Sequence, residues 1–147
     1  MSLRIFLFLF PALLIADSYY IQAGESYGLD PQLIWAIAYK ESRHKPDIVS
    51  KPNTNGTYDI GIMQINSSHL PRLKKLYGIE KKHLFDPRTN IFVGAEILKM
   101  CFDKHGHNTQ NGISCYNGRI KNNPYGKEVL KILTEAREKY QNKGGKQ

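Results

Sequence analysis

Two acidic side chains stand where a carboxyl group can do chemistry. Leu33, Ile34, Ile37 and Ala38 recur at the spacing of one helical face, and the next position on that face is Glu41. A carboxyl there either sits at a helix end and reaches water, or is held against apolar surface, where desolvation raises its pKa and keeps it protonated as a general acid. The spacing leaves both readings open, because the helix signal ends between Ser42 and Pro46. Asp59 is the second acid to weigh, since ordinary glycosidases pair two carboxyl groups across the scissile bond. It lies two residues before Gly61 in a stretch rich in Asn, Thr and Gly. That setting favours an Asx-type bond that orders a turn over a catalytic role.

Other chemistries find less support. None of the five histidines, His44, His69, His83, His105 and His107, forms the i, i+4 helical pair of a metalloprotease. No glycine-rich phosphate loop is present, so neither a metal site nor a cofactor is expected. Cys101 and Cys115 are either two separate buried thiols or a disulfide, and an oxidising compartment would favour the bond. Closing that loop would contribute about 3 kcal/mol in the chain-entropy model.

The elements that must position these groups are mostly helical. Tyr19 to Tyr27 reads as a helix ended by Gly28, and Asp30-Pro31 opens the next with an N-cap and a proline at its first position. Asn55-Gly56 is a hairpin turn signal, and Thr57-Tyr58 suits a short strand. Asn66 or Ser67 caps a helix running into Leu70 to Leu76. Asp86-Pro87 repeats the start signal ahead of an inward stripe of Ile91, Ala95, Leu98 and Phe102, with Gly94 available for close helix packing. Pro124 opens a last helix with Tyr125, Val129, Ile132, Leu133, Ala136 and Tyr140 on one face.

Length and composition bound the whole. The chain has 147 residues, 41% of them hydrophobic, which suits one packed domain and excludes a multidomain enzyme. Twenty-one Lys and Arg against 13 Asp and Glu give a net charge of +8, an attraction for polyanions without a nucleic-acid motif to direct it. Arg4 followed by the apolar run Ile5 to Ile15 and then Ala16-Asp17-Ser18 reads as an export signal over residues 1–18. The apolar run is too short to cross a bilayer as a helix. Residues 19–142 would then form the domain, and 143–147 a flexible basic tail.

Three segments carry a family resemblance across nearly all of residues 19–142. Ala38-Tyr39-Lys40-Glu41-Ser42, then Gly61-Ile62-Met63-Gln64-Ile65-Asn66, then Tyr116-Asn117-Gly118 resemble, in order and rough spacing, three motifs of lytic transglycosylases with the goose-lysozyme-like fold. The small size and export signal look like the branch that accompanies secretion, pilus or conjugation machinery. Two departures are visible: Ile62 stands where leucine is common, and Cys115 where alanine is usual.

The resemblance implies a mainly α, lysozyme-like single domain with a small β-hairpin. It makes Glu41 the lone catalytic acid and base, followed by Ser42 as in the family. Met63, Gln64 and Asn66 would fall on the segment lining the glycan cleft, and Tyr116 and Asn117 on the motif that orients the glutamate and the sugar. The implied reaction cleaves the MurNAc–GlcNAc β-1,4 bond of peptidoglycan to leave a 1,6-anhydro-MurNAc end. The implied setting is the bacterial periplasm, as a monomer whose partners are glycan strands and components of such an apparatus. A hydrolytic muramidase of the same fold, with Asp59 positioning water, and a non-catalytic wall-binding assembly factor are the alternatives.

Overall fold

A computed structural model describes residues 12–107 and 109–144. Their helices are α1 (Ala12–Tyr27), α2 (Pro31–Ser42), α3 (Leu70–Tyr77), α4 (Pro87–His105), α5 (Gln110–Tyr116) and α6 (Tyr125–Gly144). Strands β1 (Asp59–Ile60) and β2 (Ile65–Asn66) pair antiparallel, Asp59 opposite Asn66 and Ile60 opposite Ile65. The architecture is mainly α and lysozyme-like. Among the described residues no helix is long and apolar enough to cross a membrane.

The helix start signals act as the sequence predicts. Asp30 accepts from the Gln32 amide at 2.8 Å with Pro31 beside it, and Asp86 accepts from the Thr89 amide at 2.8 Å with Pro87 beside it. Gly28 takes the left-handed conformation after α1 (φ 63°). That helix begins at Ala12, ahead of the expected Tyr19. The run expected as an export signal lies outside the described residues as far as residue 11, and residues 145–147 of the expected tail also lie outside them.

The β element differs from its expectation. Asn53 to Thr57 does form a tight turn, with the Asn53 amide donating to the Thr57 carbonyl at 2.6 Å. Thr57-Tyr58, however, is not in the sheet, which starts at Asp59 and reverses through Gly61 to Gln64 instead. Gly61 (φ 76°) and Gln64 (φ 50°) supply the left-handed residues of that reversal. The Asn-Gly signal marks a real turn, but the pairing surface is set by what docks beneath it.

What docks beneath it is α4. Buried Asn90 donates to the Ile60 carbonyl at 2.9 Å and the Leu84 carbonyl at 2.7 Å, and accepts from the Met63 amide at 2.8 Å. A Cβ on Gly61 would come within 2.4 Å of the Leu84 carbonyl oxygen, so only glycine lets the turn approach this closely. Gly94 serves the same contact: a Cβ there would lie 2.7 Å from the Met63 sulfur. Close helix packing is expected of Gly94, but the side chain that fills its space is a methionine of the hairpin turn, because that turn docks on α4 there. A bidentate pair from Arg72 to Glu96, at 3.2 and 3.0 Å, ties α3 to the same helix.

The core joins Leu33, Ile34 and Ile37 of α2 to Ile91, Leu98 and Phe102 of α4 and Val129 and Leu133 of α6, with Ile60, Met63 and Ile65 from the hairpin. Replacing Asn90 with Ala strands three buried backbone groups at once. Each unsatisfied group costs roughly 1–3 kcal/mol, so Asn90→Ala is expected to lower the unfolding free energy by about 3 kcal/mol, measured by urea denaturation. A loss below about 1 kcal/mol would show that water replaces the amide.

Candidate active site

The last turn of α2, the 53–66 segment, one face of α4 and the end of α5 enclose a cleft of about 700 Å³. Glu41 lines it, and so do Asp59, Gln64, Asn66, Tyr116 and Asn117. The helix signal that left Glu41 ambiguous resolves in a specific way. α2 continues through Ser42, and the left-handed Arg43 and His44 (φ 55° and 62°) turn the chain away just after it. Glu41 thus stays on the helix, next to the core and at the edge of the cleft.

That position sets its chemistry. Burial pushes the Glu41 carboxyl up from 4.5 to about 7, and the charge of Asp59 adds to the rise. Two influences oppose it: the Tyr125 hydroxyl, which donates to Glu41 Oε1, and the neighbouring Lys40 ammonium. Tyr125, at the start of α6, is itself pushed up by burial and by Glu41, so it stays a protonated donor. A carboxyl with a pKa near neutrality and one fixed donor can both give and take a proton at physiological pH.

Asp59 is engaged on both oxygens. Oδ1 accepts from Asn66 Nδ2 at 2.8 Å, and Oδ2 from Asn53 Nδ2 at 3.3 Å and Ser50 Oγ at 3.4 Å. The Asn66 amide also donates to Thr57 Oγ1 at 3.0 Å, while its oxygen caps the 3-10 turn Ser67–His69 by accepting from the Ser68 amide. Asp59 and Asn66 therefore knit the polar segment of the cleft together. Gln64 Nε2 donates to the Gly61 carbonyl at 2.9 Å and the Ile48 carbonyl at 3.3 Å.

Tyr116 closes α5 and donates to the Met63 carbonyl at 2.8 Å, and burial raises its pKa well above the ordinary phenol range. Asn117 caps that helix, and its Oδ1 accepts from Asn123 at 3.2 Å. The Cys101–Cys115 disulfide, with Cα atoms 5.7 Å apart, joins α4 to α5 directly beside Tyr116, and both cysteines line the cleft. The cysteine that stands in place of alanine thus fastens the Tyr116-Asn117 segment to the preceding helix. Among the described residues no group of three His, Cys, Asp or Glu is placed to hold a metal ion.

Two residues expected to bind substrate do not line the cleft. Ser42 is buried, its hydroxyl donating to the Ile62 carbonyl at 2.6 Å and accepting from the Lys45 amide at 3.1 Å. It holds the 61–64 turn against α2. Met63 is fully buried under Gly94 and offers the site only its carbonyl, taken by Tyr116. Tyr125 and Asn90, in turn, were not expected at the site. Tyr125 reads in the sequence as one more core position of α6, and Asn90 as a polar residue beside an apolar stripe; only long-range contacts reveal either.

The transglycosylase SLT domain matches residues 18–129, most of the chain. The chain belongs to that family. It is 38% identical over 98 residues to Invasion protein IagB of Salmonella typhimurium, a match covering 67% of this chain and 60% of that protein. An Escherichia coli protein called X polypeptide is 36% identical over 121 residues, 76% of this chain and 70% of its own. A peptidoglycan-binding-like protein of Escherichia coli O157:H7 is 34% identical over 128 residues, covering 80% and 77%. The fold is similar to that of an inactive mutant of lytic transglycosylase Slt from Pseudomonas aeruginosa, with a TM-score of 0.67 at 20% identity over 84% of this chain and 24% of that one.

The Tyr125 bond stabilises the Glu41 carboxylate, so losing it must raise the Glu41 pKa further. In Tyr125→Phe the alkaline fall of any Glu41-dependent activity is expected at higher pH than in the wild type, together with a lower maximum rate because the carboxyl loses its fixed orientation. A pH–rate profile checks both, and an alkaline limb that stays put or moves down would mean the phenol does not act on Glu41.

Proposed function

We propose that this protein is a peptidoglycan lytic transglycosylase that cleaves the MurNAc–GlcNAc β-1,4 bond and leaves a 1,6-anhydro-MurNAc end. The observation that carries the reading is the Glu41 carboxyl, desolvated and held by Tyr125 at the edge of a cleft whose 53–66 wall is lined largely by amides and hydroxyls. Such groups bond sugar hydroxyls and N-acetyl groups without competing as acids.

The chemistry follows from that one group. Protonated Glu41 gives its proton to the glycosidic oxygen as the C1–O bond breaks. The resulting carboxylate then takes a proton from the C6 hydroxyl of the same MurNAc, whose oxygen closes onto C1, with the substrate's own N-acetyl group able to support C1 in between. No water is consumed, and Glu41 ends protonated as it began. Tyr125 orients the carboxyl and supports its charged state between the two halves.

Asp59 has a different part in this reading. Its oxygens accept from neighbouring side chains, Oδ1 from Asn66 and Oδ2 from Asn53 and Ser50, which supports an ordering role. It orders the polar segment and, through its charge, helps keep Glu41 protonated. Gln64, Asn66, Tyr116 and Asn117 line the glycan path directly or order it, and no cofactor takes part.

The setting we propose is the periplasm, after export directed by residues 1–18, where the protein opens the wall locally for a secretion, pilus or conjugation apparatus. Similarity to a protein named for invasion supports this, and the net charge of +8 suits an anionic wall.

Glu41→Gln is expected to abolish cleavage of purified sacculi while leaving fold and sacculus binding in place. Mass analysis of the wild-type digest should give anhydro ends; hydrolysed reducing ends would establish the muramidase instead. Linkage adds a second readout. A carboxyl raised from 4.5 to about 7 on folding binds more protons in the native state between those values, so stability declines across that window as pH rises. Glu41→Gln removes the penalty, and at pH 8 it should be more stable than wild type by up to about 3 kcal/mol, the difference vanishing near pH 4.

Asp59→Asn keeps the acceptor that meets Asn66 and is expected to lose activity only in part, with lower stability. Complete inactivity of well-folded Asp59→Asn, equal to that of Glu41→Gln, would favour a two-carboxylate hydrolase.

A further inference from the structure

One wall of the cleft is chemically unlike the rest. Ile97, Met100, Cys101 and Lys104 stand at i, i+3, i+4 and i+7 on α4 and share one helical face, about 10 Å long, that lines the cleft. Ile97 and Cys101 form its buried base, and the disulfide extends that base to Cys115. Met100 rises from it with half of its surface exposed, a flexible apolar side chain that gains from being covered. Lys104 ends the strip. It is the sole Lys or Arg among the residues lining the cleft, and among the described residues it has no ion-pair partner. The adjacent Asp103 is taken by Lys99.

An apolar strip that ends in an ammonium with no ion-pair partner among the described residues does not match the sugar rings of a glycan chain, whose outward hydroxyls and N-acetyl groups are neutral and polar. It matches a segment that carries methyl groups and then a carboxylate. In peptidoglycan that description fits the stem peptide, joined through the lactyl group of each MurNAc and bearing alanyl methyls and free carboxyl groups.

We infer that the Met100–Lys104 strip of α4 is the recognition surface for the stem peptide, so that the enzyme selects glycan strands bearing peptides over strands stripped of them. The inference rests on the glycan-cleaving reading above. Met100 and the disulfide cover the lactyl and alanyl methyls, and Lys104 pairs with a peptide carboxylate. A charge-assisted bond of this kind supports roughly a tenfold preference. The strip fixes which part of the wall polymer is engaged, while Glu41 and Tyr125 act on the glycosidic bond.

The test uses the full chain on three polymers: intact peptidoglycan, the same material with its peptide carboxyls amidated, and glycan strands freed of peptide by an amidase with the lactyl carboxyls so exposed then amidated as well. Wild type is expected to favour intact material over both others in kcat/KM. Lys104→Ala should reduce the intact-to-stripped and intact-to-amidated ratios about tenfold, Lys104→Arg should keep most of both, and Met100→Ala should lower only the intact-to-stripped ratio. Ratios that do not move in Lys104→Ala, or a wild type indifferent to the three polymers, would overturn the inference and leave the cleavage reading standing. If wild type cleaves none of them, it is that reading which fails. Retention of Glu41→Gln, with and without Lys104→Ala, on the three polymers immobilised on beads then decides the inference: loss of binding confined to the carboxyl-bearing polymer supports it, and equal binding to all three overturns it.

Discussion

Keeping a carboxyl group protonated near neutral pH requires taking it out of water, and the cost of doing so organises this molecule. Glu41 meets that requirement by lying one step beyond an apolar stripe, on the last full turn of a helix whose other contacts are core. Desolvation alone would leave an acid too reluctant to ionise to serve as a base. The Tyr125 hydroxyl supplies the opposing influence from α6, so two helices far apart in sequence set one pKa between them.

The hairpin turn is the second element on which the site depends, and it is held by backbone groups. Asn90 engages the Ile60 and Leu84 carbonyls and the Met63 amide, Ser42 engages the Ile62 carbonyl, and Tyr116 the Met63 carbonyl. Five hydrogen bonds from three helices thus fix residues 60–63 and the Leu84 carbonyl beside them, and nearly all of them are made by side chains away from solvent. An irregular loop that is buried must have its polar groups paired, and these pairings let a short turn serve as the floor of a cleft. The disulfide adds a covalent tie at the same wall, joining α4 to the residue before Tyr116.

A polar cleft on a strongly basic protein contains two carboxylates and one lysine among its lining residues. Asp59, accepting from three neighbours, shapes the polar wall and biases Glu41 through space. Lys104 belongs to the other wall, with Met100 and the disulfide. The two walls therefore differ in character, hydrogen-bonding on one side and apolar with a terminal cation on the other.

Helix starts at Asp30-Pro31 and Asp86-Pro87, the stop at Gly28 and the apolar stripes of α2 and α4 were all legible in the sequence, because caps and periodicity are local properties of the chain. The three short motifs, taken in order, carried the family and brought Glu41, Gln64, Asn66, Tyr116 and Asn117 to notice before any contact was known. What local pattern left open was settled by contacts between distant segments. The hairpin lies at Asp59–Asn66, past its Asn-Gly signal, because Asn90 of the distant α4 bonds the Met63 amide and the Ile60 carbonyl and so selects the docked turn. Ser42 and Met63, adjacent in motif to the site, point into the protein, because a residue's neighbour on a helix or turn faces elsewhere. Tyr125 looks like one more core position until α6 packs on α2. The ionisation of Glu41, finally, is fixed by burial and by a hydroxyl 84 residues away, quantities that exist only once the chain has folded.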